Sequence, residues 1–331
     1  MSDVKVSIIV PVYNVERYLP KCLDTLTGQT LKEIQIIVVN DGATDGSQEI
    51  IDRYAARDER ILPLKKVNGG LSDARNFGLP YATGKYVGYV DSDDFVEMDM
   101  YEKLFRRAEE TGSEITECDL FHNYDNGFDE EHAEPVTDPR QLLMTGRSVV
   151  WNKIYRLDWL RETGVHFMKG LMYEDVGFYS CLMPHLHTIS YVPEALIHYV
   201  QRGSSLNYNA TLKTLDILKI LEGIRAYYKK NGYYESYEKE LEFLTARIIL
   251  CSSFLRMSRI GDPKQRAFAL GKSWKALNHW YPDWKKNPYL KKQRTKNAAF
   301  MRAMNPVTYR ICGVLMPAAS HLRLMVHSVA H

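Results

Sequence analysis

Cysteine is sparse in this chain of 331 residues, and the five present (Cys22, Cys118, Cys181, Cys251 and Cys312) lie far apart, with no CxxC pair. That argues against a disulfide framework and for reduced thiols in a cytosolic compartment. The N-terminus, MSDVKVSIIV, lacks the layout of a secretion signal and runs straight into a strand-like stretch. Two familiar phosphate loops are also missing. Neither the G-x-G-x-x-G of a dehydrogenase nor the G-x-x-x-x-G-K-[ST] of a kinase-like NTPase occurs. A sugar nucleotidyltransferase would carry a Gly- and Arg-rich loop after its first strand, where this chain has Pro11-Val12-Tyr13-Asn14. The last thirty residues hold no apolar run approaching the ~20 needed to span a bilayer. Acids are scarce beyond residue 262: residues 263–331 contain thirteen Lys or Arg and a single acid, Asp283. The net charge of +2 therefore conceals a basic tail on an acidic body. Such a tail suits an anionic membrane surface, a lipid-phosphate-linked substrate or nucleic acid, or else it is a solvated basic helix pair.

What is present is strongly periodic. Val4 to Val12 is β-branched and nearly continuous, as in a parallel strand buried on both faces. Leu19, Cys22, Leu23 and Leu26 then mark a helix face. Ile34–Val39, Ile61–Val67 and Tyr86–Val90 read as three further strands, separated by helices that bear Ile50, Ile51 and Tyr54 and that cover Leu71–Leu79. This alternation predicts a doubly wound mixed α/β sheet, in which ligands bind beyond the carboxyl ends of the strands. Those ends read Tyr13-Asn14, Asn40-Asp41-Gly42, Asn68-Gly69-Gly70 and Asp91-Ser92-Asp93-Asp94. From about 113 to 205 the pattern is mixed, with an acidic surface loop expected near Asp125–Glu134. Beyond Ala210 it turns helical, with Leu212, Leu215, Ile217, Leu218, Leu221 and Ile224 near a 3.6-residue period, as are Leu241, Leu244, Ile248 and Ile249. The expected division is 1–208 as the catalytic domain (1–112 nucleotide-binding, 113–208 acceptor-binding) and 209–331 as a smaller, helical, basic region. Leu322, Met325, Val326 and Val329 fall on one helical face beside Arg323 and His327, as in an interfacial helix or a docked terminal one.

Three carboxylates at one strand end, Asp91, Asp93 and Asp94, repel one another unless a cation sits among them. Hard oxygen ligands at this spacing suit Mg²⁺ or Mn²⁺ bridging to substrate phosphates, although the same acids could cap the following helix, around Met98 to Thr111. Asp41 could accept a base N–H, and Arg75 could offer its planar fork to a base carbonyl or phosphate, or else close an internal salt bridge. Tyr13 could stack on a base or sit in the core. The Glu174-Asp175 pair, among the aromatics Tyr173 and Phe178, is a candidate base site, because burial and a like charge both raise a carboxylate's pKa.

Taken together, VSIIVPVYNVERYLPKCLDTLTGQT (6–30), VVNDGATDGS (38–47), NGGLSDARNFGL (68–79) and YVDSDDFV (89–96) resemble the family 2 glycosyltransferases, inverting enzymes of GT-A (Rossmann-like) fold. VWNKIYR (150–156), GLMYEDVGF (170–178) and HYVQRGSS (198–205) extend the resemblance, whereas the helical C-terminal third matches no family pattern. At Asn40-Asp41 the family often has two acids; here the second is kept. The resemblance implies that Pro11, Val12, Tyr13, Asp41, Asn68, Arg75 and Ser92 hold a nucleotide, that Asp91 meets the ribose or metal, and that Asp93 binds Mn²⁺ or Mg²⁺. It implies that Asp175 is the general base and that Glu174, Lys153, Arg202, Ser204 and Ser205 serve the diphosphate or acceptor, with His198 completing the metal site. The expected enzyme is cytoplasmic or peripheral on the inner membrane face. It would move a sugar from a nucleotide-diphosphate donor, a UDP-sugar first, to a glycan or lipid-linked acceptor in bacterial polysaccharide or teichoic-acid synthesis, with no nucleic acid partner. A non-catalytic glycan-binding or scaffold subunit is the alternative, which intact Asp91, Asp93 and Asp175 oppose.

Overall fold

A computed structural model describes residues 3–124, 126–201 and 210–315. Arg202, Ser204, Ser205 and the stripe Leu322, Met325, Val326 and Val329 lie outside the described residues. The chain divides into two compact units. The first comprises Met1–Leu142, Arg147–Gly170 and Glu174–Arg202; the second comprises Leu143–Gly146, Leu171–Tyr173 and Gly203–His331.

The first unit is built on a nine-stranded mixed sheet with helices around it. Its strands are β1 (Val6–Val12), β2 (Ile34–Asn40), β3 (Ile61–Lys65), β4 (Tyr86–Tyr89), β5 (Phe95–Val96), β6 (Ile115–Tyr124), β7 (Gly127–Glu131), β8 (Lys153–Arg156) and β9 (Ile189–Val200). They run in the order β3-β2-β1-β4-β8-β6-β9-β5, with β7 paired to β6. β1, β2, β3 and β4 are mutually parallel, as their unbroken apolar runs require, and every residue of β1 is buried. The direction reverses at β8, which pairs antiparallel with both β4 and β6. All three outer strands are short, and β3 carries Pro63 at its centre.

Two boundaries differ from the periodicity. The expected acidic loop near 125–134 contains a strand, β7, whose Glu131 is paired: it bonds His122 on β6 at 2.7 Å and Arg147 at 3.2 Å, while Phe128 packs edge-on against Phe121. The helix that follows the acidic turn begins at Met100 with Asp99 at its N-cap, so Asp94 does not cap it.

The second unit is helical. Asp216–Lys230 buries Ile217, Leu218, Leu221 and Ile224, and Tyr234–Arg247 with the π-turn Ile248–Ser252 buries Leu241, Leu244, Ile248 and Ile249. Leu212 is exposed, because Leu212–Leu215 is a 3₁₀ turn that shifts the phase of the stripe. Met172 donates its amide to Asp216 at 3.4 Å, and the Arg256 guanidinium lies 4.9 Å over the Tyr173 ring. No helix among the described residues is long and apolar enough to cross a membrane.

Candidate active site

The carboxyl ends of β1, β2 and β3 are laced together by backbone bonds: the Asp41 amide donates to Val12 O at 2.9 Å, and the Lys66 amide donates to Asn40 O at 3.0 Å. Gly42 makes this possible. Its φ is +74°, and a Cβ there would stand 2.9 Å from the Asn68 backbone nitrogen, so only glycine fits without strain. Pro11 and Val12 are buried, whereas Tyr13 and Asn68 are exposed. The Asp41 carboxylate is almost wholly buried and accepts from the Gly69 amide (3.0 Å), the Gly70 amide (2.7 Å) and Lys66 Nζ (2.5 Å). A carboxylate has about four lone-pair sites, so these three donors leave one unaccounted for. Lys66, which the sequence did not single out, is held in turn between Asp41 and Asp73 (2.6 Å).

Arg75 ties the parallel half of the sheet to the candidate base. Its side chain is buried, donating to Asp91 Oδ1 at 2.5 Å and to Glu174 Oε1 at 2.8 Å. The alternative left open for this residue, an internal salt bridge, is what it makes: its partners are an acid at the end of β4 and one ninety-nine residues away. Burial opposes the charged guanidinium, but Asp91 and Glu174 outweigh it and hold its pKa above the ordinary value. Asp175 follows Glu174 in the first turn of the helix Glu174–Leu182, and its Oδ1 accepts from the Val176 amide at 2.8 Å. Burial first and the Glu174 charge second push its carboxyl up to about 6. Tyr173, the residue before Glu174, has φ 67°, a left-handed conformation that costs a non-glycine residue on the order of 1–3 kcal/mol.

The acidic turn separates into three roles. Asp91 Oδ1 accepts from Arg75, and Asp93 is partly buried at the turn beside the buried Ser92. Asp94, the third acid of the strand end, is buried, with Oδ1 accepting from the Val200 amide at 2.8 Å and Oδ2 without a partner. Burial and the neighbouring Asp91 charge push its carboxyl well above the usual range. Two expected site residues are placed elsewhere. His198 presents no free ring nitrogen: Nδ1 meets Asn123 at 3.0 Å, Nε2 meets Glu97 at 2.7 Å, and the ring is stacked between Phe95 and Phe121. Lys153 is a core residue, fully buried and ion-paired with Glu117 at 2.8 Å, so its ammonium is committed before any diphosphate arrives. Among the described residues no three His, Cys, Asp or Glu side chains form a preformed metal cage. Mg²⁺ and Mn²⁺ sites commonly use only one or two carboxylates and complete their shells with water and phosphate. The Asp91–Asp94 turn, with an orphaned buried carboxyl oxygen, therefore fits such an ion.

A family model described as glycosyl transferase family 2 matches residues 7–172. The chain belongs to that family. It is 32% identical to the putative glycosyltransferase EpsH of Bacillus subtilis (strain 168), over 76% of this chain and 77% of that protein. It is 33% identical to the uncharacterized glycosyltransferase EpsJ of the same organism, over 61% of this chain, a match that spans 62% of EpsJ. Among solved structures, S. aureus TarS 1–349 in complex with UDP-GlcNAc is similar over 93% of this chain and 91% of that one, with TM-score 0.71 and 22% identity. The mixed sheet with its surrounding helices is thus the GT-A fold expected from the sequence, followed by a helical C-terminal region. The family assigns the chain to glycosyl transfer.

Proposed function

We propose that this family 2 glycosyltransferase moves a sugar, with inversion, from a UDP-sugar to a glycan or lipid-linked acceptor in cell-surface polysaccharide synthesis on the cytoplasmic side of the membrane. The observation that carries the reading is Arg75, whose single guanidinium joins the acidic turn after β4 to the Glu174-Asp175 pair. That link supports reading the nucleotide-side acids and the candidate base as parts of one site. The complex of TarS with UDP-GlcNAc favours a uridine donor. Pro11, Val12, Tyr13, Asp41 and Asn68 would bound the base, with the remaining Asp41 lone pair taking an N–H. Asp93, with Asp91, would hold Mn²⁺ or Mg²⁺, which neutralises charge on a departing diphosphate when bound. Arg202, Ser204 and Ser205 are suited by chemistry to donate to the same diphosphate.

Asp175 takes the proton of the acceptor hydroxyl. The freed oxygen attacks the anomeric carbon from the face opposite the diphosphate, the bond to the diphosphate oxygen breaks, and configuration inverts in one displacement. A pKa of about 6 keeps the carboxyl ionised at neutral pH while making it a better base than an ordinary aspartate. Isothermal calorimetry with UDP tests the donor site. Affinity should rise with Mn²⁺ or Mg²⁺, and Asp93→Ala should remove most of that gain. Equal affinity with and without EDTA would show that the acids serve another purpose.

A further inference from the structure

Residues 306–315 form a helix in the second unit whose two faces are both apolar. It starts at Asn305-Pro306, with the Asn305 carboxamide oxygen accepting from the amides of Val307 (2.9 Å) and Thr308 (3.0 Å). One face is fixed to the unit. Tyr309 is buried, 4.8 Å from the Phe254 ring and 5.1 Å from Trp274, and donates its hydroxyl to Ile249 O at 3.4 Å; Gly313 lies against Leu270 so closely that a Cβ would clash. On the opposite face Val307, Ile311, Val314 and Leu315 recur at helical spacing and are 52–64% exposed. The neighbouring helix, Pro263–Trp280, buries Leu270, Ser273 and Leu277 and turns outward a stripe of Lys264, Phe268, Lys272 and Lys275. Phe268 is exposed, with Lys272 Nζ 5.9 Å over its ring. An exposed aliphatic stripe, on a helix that touches its lysine-rich neighbour through Gly313 and Leu270, has the composition of a surface that lies in a lipid interface.

We propose that the exposed aliphatic face of the helix at 306–315 docks on a bilayer carrying anionic lipids. Charge selects that occupant. Residues 263–315 hold twelve Lys or Arg against Asp283 alone, and Asp283 is paired with Lys286 at 2.9 Å. A second copy of the chain would bring the same cations face to face. Residues 316–331 contain no acid and add Arg323, so they offer nothing to neutralise the patch. An anionic leaflet supplies both missing partners, a low-dielectric layer for the aliphatic stripe and headgroup charge for the lysines. Binding of this kind is reversible, because it combines a shallow apolar contact with screened electrostatics.

The full-length protein should co-sediment with phosphatidylcholine vesicles containing phosphatidylglycerol, much less with phosphatidylcholine alone, and less as salt is raised. The double variant Ile311→Glu, Val314→Glu should lower the partition coefficient by about tenfold or more. Its UDP affinity and melting temperature should be unchanged, which keeps this result separate from the donor site. Phe268→Ala should give a smaller loss of the same sign. The proposal is overturned if the wild type ignores lipid charge or if the double variant binds as well as the wild type. It is equally overturned if the double variant instead converts a dimer to a monomer in light scattering, or if binding emerges only once residues 316–331 are removed.

Discussion

Asp175 carries the sharpest residue-level expectations. Asp175→Asn is nearly isosteric, so UDP binding should survive while transfer falls by roughly 10²–10⁴-fold, the usual contribution of a positioned acid–base group. In the wild type, turnover should drop as pH falls through about 6, because the protonated carboxyl cannot accept the acceptor's proton. Stability should move the other way. A carboxyl raised from 3.8 to about 6 favours the folded state below its unfolded value, and that contribution is lost as pH rises through about 6. Asp175→Asn should therefore melt higher than the wild type at pH 7–8, with the gain fading toward pH 4. Differential scanning calorimetry across that range measures it, and an unchanged gap would remove burial as the cause. Asp94 gives a second contrast. If its work is to hold the Val200 amide, Asp94→Asn retains the acceptor oxygen and should keep near-wild-type turnover. Asp94→Ala leaves a buried N–H unpaired, at about 1–3 kcal/mol, and should lose both activity and stability. Loss in both variants would make Asp94 an ion ligand. Neither this bond nor the Arg75–Glu174 pair was legible beforehand, because hydrogen bonds across about a hundred residues leave no local pattern. Asp94 simply read as one more acid before a helix.

At the scale of elements, the parallel strands were the most readable part. Runs such as VSIIVPV are buried throughout, and continuous β-branched sequence has few other stable uses. β7 was hidden because its charges suggested solvent, while its partners His122 and Arg147 lie on other segments. The 3₁₀ turn at Leu212–Leu215 was hidden because an early change of phase resembles a continued helical period. The loop after β3 supplies a prediction of its own. Gly42→Ala places a methyl group in a left-handed backbone against the Asn68 amide, so the strand end and that loop must part. It should cost about 1–3 kcal/mol in urea unfolding and weaken UDP binding, although residue 42 offers no side chain to the ligand. Unaltered UDP affinity would mean that this loop does not shape the donor site.

For the molecule as a whole, periodicity put a helical region beyond about 208 but could not show that Leu143–Gly146 and Leu171–Tyr173 group with Gly203–His331. Short loops carry no periodicity that says which core they join. His198 and Lys153 show the matching limit for chemistry: each has the right side chain near the right motif, and each is already satisfied by neighbours that only the fold supplies. The ends of the sheet have a consequence for behaviour at high concentration. An open strand edge is a template on which a second chain can grow, yet none of the three outer strands offers one. β5 is two residues long, β7 sets Asp129, Glu130 and Glu131 in a row, and β3 interrupts its donors with Pro63 and ends in Lys65. Pro63→Val would restore a backbone N–H at the centre of an apolar edge, Ile61 to Leu64. That variant should fold and bind UDP normally but form thioflavin-positive aggregates on prolonged warming, where the wild type stays clear. The proline thus guards the shelf life of the protein rather than its chemistry.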